Sequence, residues 1–445
     1  MRALFVNPWI TDFAAYDLWL KPLGLLRAAA AFRSWGWEVD YLDCLDRFHP
    51  RLAEFLEGKL PRRDTFGRGQ FPQEETEKPP AVREVAKRYF RHGIPLPLFR
   101  AETDKLSRPD LILVGSTMTY WYPGYFLAIR LIREAFPGTP VILGGLYPRL
   151  CPEHARKLSG ADFIHGAGLG ELGALLRKLG FSADGIDGDL DVLPAFDLLS
   201  DRSALPLLTG RGCPFSCSYC AAPFLEPDLR RRDPGKVVEE IAGYVSRYET
   251  SDFAFYDNAL LYRAEDHLDL ILAATARKGL LCRFHTPNGL HARFLTEKTA
   301  RLMKESGFAT IRLSLETSDA ERQRESGGKV GNRDLARAIG LLDQAGYPRR
   351  EIGVYVLFGL PGQPIVEAEE AASFVHGLGA KICLAEYSPI PGTPDYHRLV
   401  HEGVIEADLD PLWHNNSIFY LRRTGYSLEA VRELRLRVND LNRGN

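Results

Sequence analysis

Hydrophobic positions along the chain follow two alternating registers. Short apolar or β-branched runs ending near turn residues predict strands: ALFVN (3–7), EVDYLD (38–43), DLILVGS (110–116), PVILGG (140–145) and DFIHG (162–166). Between them, residues 22–34 and 124–135 carry the spacing of amphipathic helices. Strands alternating with helices imply a parallel, doubly wound α/β sheet over residues 1–180. The alternation breaks at 46–108, where LPRRDTFGRGQFPQEETEKPP is polar and proline-rich. A stretch of that kind within a compact domain is functional or mobile. Its later part, AVREVAKRYFRHGIPLPLF (81–99), has helical spacing and is expected to pack on the sheet.

Residues 181–203 read as a linker, and the alternation then restarts. Strands are expected near 204–208, 252–257, 281–285, 308–315, 352–358 and 381–386, with helices between them. Asp233 is placed as an N-cap with Pro234 in the first turn, and Gly279, Gly307 and Gly346 stand where helices should stop. Six βα units over 204–395 suit a partial (β/α)6 barrel, followed by a helical C-terminal region over 396–445.

Composition narrows the class. The chain has 445 residues, 45% hydrophobic and 26% charged, with a net charge of −2 from interspersed acids and bases. This is an ordinary globular profile without the basic footprint of a nucleic-acid binder. The most apolar run, LGLLRAAAAF, is interrupted by Arg27 and is too short to span a bilayer. The N-terminus opens directly on a strand-like run, so no signal peptide is read. Seven cysteines, an odd number with three clustered, argue against a secreted disulfide scaffold and for a reducing cytoplasm.

The clustered three, Cys213, Cys217 and Cys220, follow the first barrel strand, on the face where parallel barrels place their chemistry. Their spacing is C-x3-C-x2-C. Three thiolates leave one iron of a 4Fe–4S cube without a protein ligand, and an open metal position is what a reactive site needs. A zinc site would want a fourth ligand nearby, and no histidine occurs between 202 and 266. Cys44, Cys151, Cys282 and Cys383 are scattered and read as small buried hydrophobes.

With Tyr219 just before the third cysteine, the motif resembles that of the radical S-adenosylmethionine (SAM) superfamily. The resemblance implies a 4Fe–4S cluster whose open iron chelates SAM and cleaves it reductively to a 5′-deoxyadenosyl radical. It extends along the second domain through FAFYDNALL (253–261), LSLET (313–317), GVYVLFGLPGQP (353–364) and EYSPIPGTP (386–394). It implies SAM contacts from Tyr219, Asp257, Asn288 and Glu316, the last facing the ribose. His285, His291 and Arg293 also stand just beyond the third barrel strand, where SAM or substrate contacts are expected. An external one-electron reductant such as flavodoxin or ferredoxin is implied as a partner, with a small-molecule or peptide substrate.

The first domain resembles that of cobalamin-binding radical SAM enzymes, whose doubly wound, flavodoxin-like domain holds the corrin at the carboxyl ends of its strands. Ser116 and Thr117 after the third strand, and Gly144 and Gly145 after the fourth, are the matching candidate cobalamin residues. The glycine pair would let a nucleotide tail lie against the backbone; alternatively it only turns the strand into its loop. Two departures stand out. The loop 7–25 has Trp9, Asp12, Tyr16 and Trp19 but no histidine to ligate cobalt from below, and GAGLGE (166–171) lacks the acids common in relatives. STMTYWYPG (116–124) reads as interdomain packing or a hydrophobic wall beside the corrin, and WHNN (413–416) as a cavity lining or a helix cap. The methylthiotransferase branch uses three further N-terminal cysteines, whereas only Cys44 and Cys151 precede residue 200. The reading that follows is a cobalamin-dependent methyltransferase acting at an unactivated carbon. The alternatives are radical cyclisation or rearrangement on the same architecture, or a non-catalytic cofactor-binding sensor.

Overall fold

The structure is a computed structural model that describes residues 1–183, 190–423 and 425–444. Residues 184–189 of the expected linker lie outside the described residues. The chain forms two compact units, Met1–Arg202 with Asp410–Asn415, and Ser203–Leu409 with Asn416–Asn445.

The first unit is built on five parallel strands: β1 (Arg2–Asn7), β2 (Glu38–Asp43), β3 (Leu111–Val114), β4 (Val141–Gly144) and β5 (Phe163–His165). Their order across the sheet is β5-β4-β3-β1-β2. The order reverses between β1 and β3, so the loops leaving those strands diverge and open a crevice at their carboxyl ends. Alternation sorts the side chains onto two cores. Ala3, Phe5, Leu111 and Leu113 face one side, and Leu4, Val6, Ile112 and Val114 the other. Helix α1 (Leu23–Ser34) covers the first, with Phe32 edge-on to Phe5 at 5.0 Å, and α2 (Tyr122–Ala135) covers the second. Burial on both faces explains why β3 reads as an unbroken apolar run.

The insertion 46–108 departs from its expected helix. Phe90–His92 is a strand, paired antiparallel on one side with Ile10–Asp12 and on the other with Gln73–Glu75. A helix begins only at Leu96 and ends at Thr103. Gly93, Pro95 and Pro97 forbid a continuous helix there, and the free edge of Ile10–Asp12 captures the segment as a strand instead. Arg47 forms a buried ion pair with Asp17 at 2.8 Å, which ties the insertion to the loop after β1.

The second unit has six parallel strands in sequential order: β6 (Ala204–Leu207), β7 (Asp252–Phe255), β8 (Arg283–His285), β9 (Phe308–Glu316), β10 (Ile352–Phe358) and β11 (Lys381–Glu386). Helix α3 (Pro234–Tyr248) starts as expected, with the Asp233 carboxylate accepting from Lys236 N at 3.0 Å. The helices before Gly279, Gly307 and Gly346 reach their C-caps at Lys278, Ser306 and Ala345. On the outer edge of β11, Asn442 of helix α4 (Leu428–Gly444) donates to Ile382 O at 3.0 Å and accepts from Ile382 N at 2.8 Å. This side chain satisfies backbone groups that would otherwise invite another strand. Among the described residues, no helix is long and apolar enough to cross a membrane.

Candidate active site

The three clustered cysteines lie on the loop that leaves β6. Both ends of that loop are fixed. At its start, Thr209 donates from N and from Oγ1 to the Asp257 carboxylate, at 3.1 and 2.7 Å, and Gly210–Arg211 pairs antiparallel with Arg230–Arg231. Further on, Ser218 N donates to Ser326 O at 3.3 Å, and Ser218 O accepts from Asp395 N at 3.0 Å. Cys217 is buried, and Cys213 and Cys220 are partly exposed. Cys220 Sγ accepts from Ala222 N at 3.4 Å, an amide placed to stabilise a thiolate. Burial pushes the Cys213 and Cys217 thiols up, opposed at Cys213 by the Phe215 N–H and at Cys217 by Lys329.

Among the described residues, no group of three or more His, Cys, Asp or Glu side chains is gathered to hold a single metal ion. The three thiols on one loop fit a cube, in which each cysteine takes a different iron.

Glu316 closes β9 beside these thiols. The register against β10 shifts between Ser314 and Glu316, and Glu316 has φ of +70°, a strained conformation for a residue with a side chain. Its carboxylate meets Lys329 Nζ at 2.5 Å, with both side chains mostly buried. Lys329 in turn lies 5.5 Å from the centre of the Tyr219 ring. Burial, together with the negative charges of Glu316 and Cys217, raises the Tyr219 phenol well above its usual range. Burial opposes the charge on Lys329, but Glu316, Cys217 and Cys220 outweigh it and keep the ammonium above its ordinary pKa.

The structure thus brings together Cys213, Cys217, Cys220, Tyr219 and Glu316, and adds Lys329. The sequence signal for Lys329 was slight: a Gly-Gly pair before a lysine in SGGK (326–329). Asp257 and Asn288 form a separate pair. The Asp257 carboxylate is engaged by Thr209, and burial raises its pKa to about 6. Asn288 Nδ2 donates to Tyr256 O at 3.1 Å and to Asp257 O at 3.4 Å. These two brace the ends of β7 and β8 under the cysteine loop.

His285 departs from its expected place at the mouth. It is fully buried between Asp252 Oδ1 at 2.8 Å and Thr310 Oγ1 at 3.1 Å, because the strand pairing carries its ring inward. His291 instead stacks on Phe215 of the cysteine loop, at 5.1 Å and 26°. Arg293 reaches Asp334 at 3.4 Å.

In the first unit, the ends of β3 and β4 are joined. Ser116 Oγ donates to Gly144 O at 2.6 Å and accepts from Tyr147 N at 3.3 Å, and Thr117 N donates to Tyr125 Oη at 3.0 Å. Gly145 is required by the backbone, with φ of +102° and a Cβ that would sit 2.2 Å from Ser116 O. At Gly144 an added Cβ would make only ordinary contact, at 3.6 Å from His165 O. Gly145 therefore answers to its turn, and Met118 and Leu146, beyond the carboxyl ends of β3 and β4, are exposed.

The loop after β1 turns inward. Trp9 is fully buried, packs against Phe99 with ring centroids 4.7 Å apart and tilted by 48°, and donates to Ile94 O, while Trp19 donates to Phe66 O. Asp12 accepts from Trp121 Nε1 at 2.7 Å and from Asn415 Nδ2 at 2.8 Å, and burial raises it to about 6. The WHNN segment, through Trp413, His414 and Asn415, thus belongs to the first unit, with Trp413 Nε1 on Ala81 O at 3.0 Å and His414 beside Thr119 Oγ1 at 2.9 Å.

Comparison with known proteins agrees with this architecture. Residues 207–375 match the Radical SAM superfamily. The chain is 23% identical to an uncharacterised methyltransferase of Pyrococcus horikoshii, over 64% of this chain and 68% of that protein. It is 25% identical to the tRNA-2-methylthio-N(6)-dimethylallyladenosine synthase of Kineococcus radiotolerans, over 59% of this chain and 54% of the synthase, and so spans about half of that relative. Its fold is similar to that of the radical SAM methyltransferase TsrM of Kitasatospora setae, solved with tryptophan and a SAM analogue (TM-score 0.62, 16% identity, 90% of this chain, 76% of that one). The same protein has been solved with cobalamin and a [4Fe-4S] cluster, with a TM-score of 0.62 and 17% identity. Residues 207–375, which hold the cysteine loop and lie within the unit of six sequential strands, are thus a radical SAM domain, preceded along the chain by a doubly wound parallel α/β unit.

Proposed function

We propose that the protein is a cobalamin-dependent radical SAM methyltransferase acting on an unactivated carbon of a small molecule or peptide. The observation that carries this reading is the convergence of Glu316, Tyr219 and Lys329 on a three-cysteine loop, in a chain whose first unit has the flavodoxin-like strand order. Cys213, Cys217 and Cys220 would hold a 4Fe–4S cluster, and the carboxyl ends of β3 and β4, with Ser116, Thr117, Gly144 and Gly145, would face cobalamin. When bound, the cluster and SAM supply reductive radical generation, and cobalamin supplies methyl transfer.

The chain's own residues do the positioning. Glu316 presents a carboxylate from a strained, fixed backbone, suited to accept from the hydroxyls of a ribose. Asp257 holds Thr209 and so fixes where the cysteine loop begins. Arg322, Arg398 and Arg423 donate to the carbonyls of Pro361, Pro361 and Leu360, at 2.9, 2.8 and 2.9 Å, which sets the GLPG turn after β10. The electron would come from an external reductant such as flavodoxin or ferredoxin.

The relative that thiomethylates tRNA does not redirect this reading, since only Cys44 and Cys151 precede residue 200. The test is the absorbance spectrum of anaerobically purified, reconstituted protein, followed by product analysis with SAM and a reductant. Corrin bands beside iron–sulfur absorbance are expected, with S-adenosylhomocysteine formed alongside 5′-deoxyadenosine. 5′-Deoxyadenosine without S-adenosylhomocysteine would favour cyclisation or rearrangement, and an absence of SAM cleavage would favour a sensor.

A further inference from the structure

The segment that follows the short helix Ala320–Glu325 lies directly on the cysteine loop. Gly327 has φ of +112°, and a Cβ there would come within 3.0 Å of Cys217 Cα. Ser326 O accepts from Ser218 N at 3.3 Å, next to Cys217. This close backbone approach needs glycine, and it delivers Lys329 to the interior with its side chain only 12% exposed. Lys329 meets Glu316 at 2.5 Å and the Tyr219 ring at 5.5 Å, and its charge bears on Cys213, Cys217 and Cys220.

We propose that Lys329 sets the reduction potential of the cluster held by Cys213, Cys217 and Cys220, acting as a buried cation that Glu316 partly offsets; this rests on the cluster reading given above. Adding one electron to a cluster adds one negative charge. A fixed cation nearby stabilises the reduced form and raises the potential, more strongly where water is excluded. A fixed carboxylate does the opposite. The Lys329–Glu316 pair is therefore a two-sided control, with the cation raising the potential and the anion tempering it. Lys329 is a positioning residue for charge, and the electron itself comes from the external reductant.

The test is potentiometric titration of reconstituted holoprotein without SAM, followed by electron paramagnetic resonance of the reduced cluster. Lys329→Met should shift the midpoint to more negative potential, Glu316→Gln should shift it to more positive potential, and Lys329→Arg should stay near wild type. Iron content should match wild type in all three. Midpoints of Lys329→Met and Glu316→Gln that both equal wild type at full iron content would overturn the proposal while leaving the cluster reading intact. If Lys329→Met does not fold, Glu316→Gln and Lys329→Arg decide it by the same criteria. Wild-type protein that takes up no iron on reconstitution would overturn the cluster reading and this proposal with it.

Discussion

Thr209 and Asp257 are joined twice: the carboxylate of Asp257 accepts from Thr209 N at 3.1 Å and from Thr209 Oγ1 at 2.7 Å. Thr209 is fully buried, four residues before the first cysteine of the loop, and Asp257 stands just after β7. The contact converts a strand end into a fixed origin for the cysteine loop. Thr209→Val keeps the shape and removes one hydrogen bond to a buried charged group, a loss of roughly 1.5–3 kcal/mol. The variant should remain folded by circular dichroism, with a lowered melting temperature and faster loss of iron to a chelator than wild type. Chelation at the wild-type rate would show that the loop is positioned by its other anchors.

The same carboxylate gives a pH dependence with a definite sign. Burial raises Asp257 to about 6 in the folded protein, against an ordinary value of 3.8. Between those values the folded state binds more protons than the unfolded chain, so this group's contribution to stability falls as pH rises and is constant above about 6. Relative to wild type, Asp257→Asn should therefore gain stability as pH goes from 4 to 6.5. Denaturant melts of both proteins across that range measure the difference, and a constant offset would contradict the burial argument. Asp12, also raised to about 6, should behave alike when replaced by Asn.

Iron binding should distinguish the cysteines. Cys213, Cys217 and Cys220 share one loop, and any one replaced by Ala should lose the cluster and all SAM cleavage. Cys44, Cys151 and Cys282 are buried, and burial pushes their thiols up, to about 12 at Cys151 and about 11 at Cys282. Such thiols resist the deprotonation that metal ligation requires. Their Ala variants should keep full iron and activity, and iron loss in any of them would break the three-ligand assignment.

The six strands of the second unit were legible because each is a compact apolar run bounded by turn residues, and because neighbours in sequence are neighbours in the sheet. The cysteine loop was legible because its three cysteines lie within eight residues. Features that depend on distant partners were not. Phe90–His92 has the local pattern of a helix and is a strand only because Ile10–Asp12 offers an edge. Lys329 stands 109 positions beyond Cys220, and its place beside the cysteine loop appears only when Gly327 folds onto Cys217. His285 follows the same logic, since its buried partner Asp252 belongs to another strand.

A histidine ligating cobalamin from below would need a free ring nitrogen near the loop after β1, and residues 7–25 contain no histidine. The histidines of the first unit are held elsewhere. His49 Nδ1 accepts from Arg51 N, His154 pairs with Tyr147 Oη at 2.6 Å, His165 faces Gly168 O at 3.1 Å, and His414 faces Thr119. His92 comes closest to the loop, as the strand partner of Ile10, but it is 1% exposed beside the Asp12 backbone. Burial lowers its pKa to about 4, so it stays neutral without being accessible to a corrin. Bound cobalamin should therefore lack a protein nitrogen below the metal. Losing that donor weakens the hold on oxidised cobalt and eases its reduction, which suits repeated methylation by SAM. Electron paramagnetic resonance of the cob(II)alamin form should show no nitrogen splitting from the protein, and His49→Ala and His92→Ala should leave the spectrum unchanged. Splitting that vanishes in either variant would place an imidazole on cobalt and reverse this conclusion.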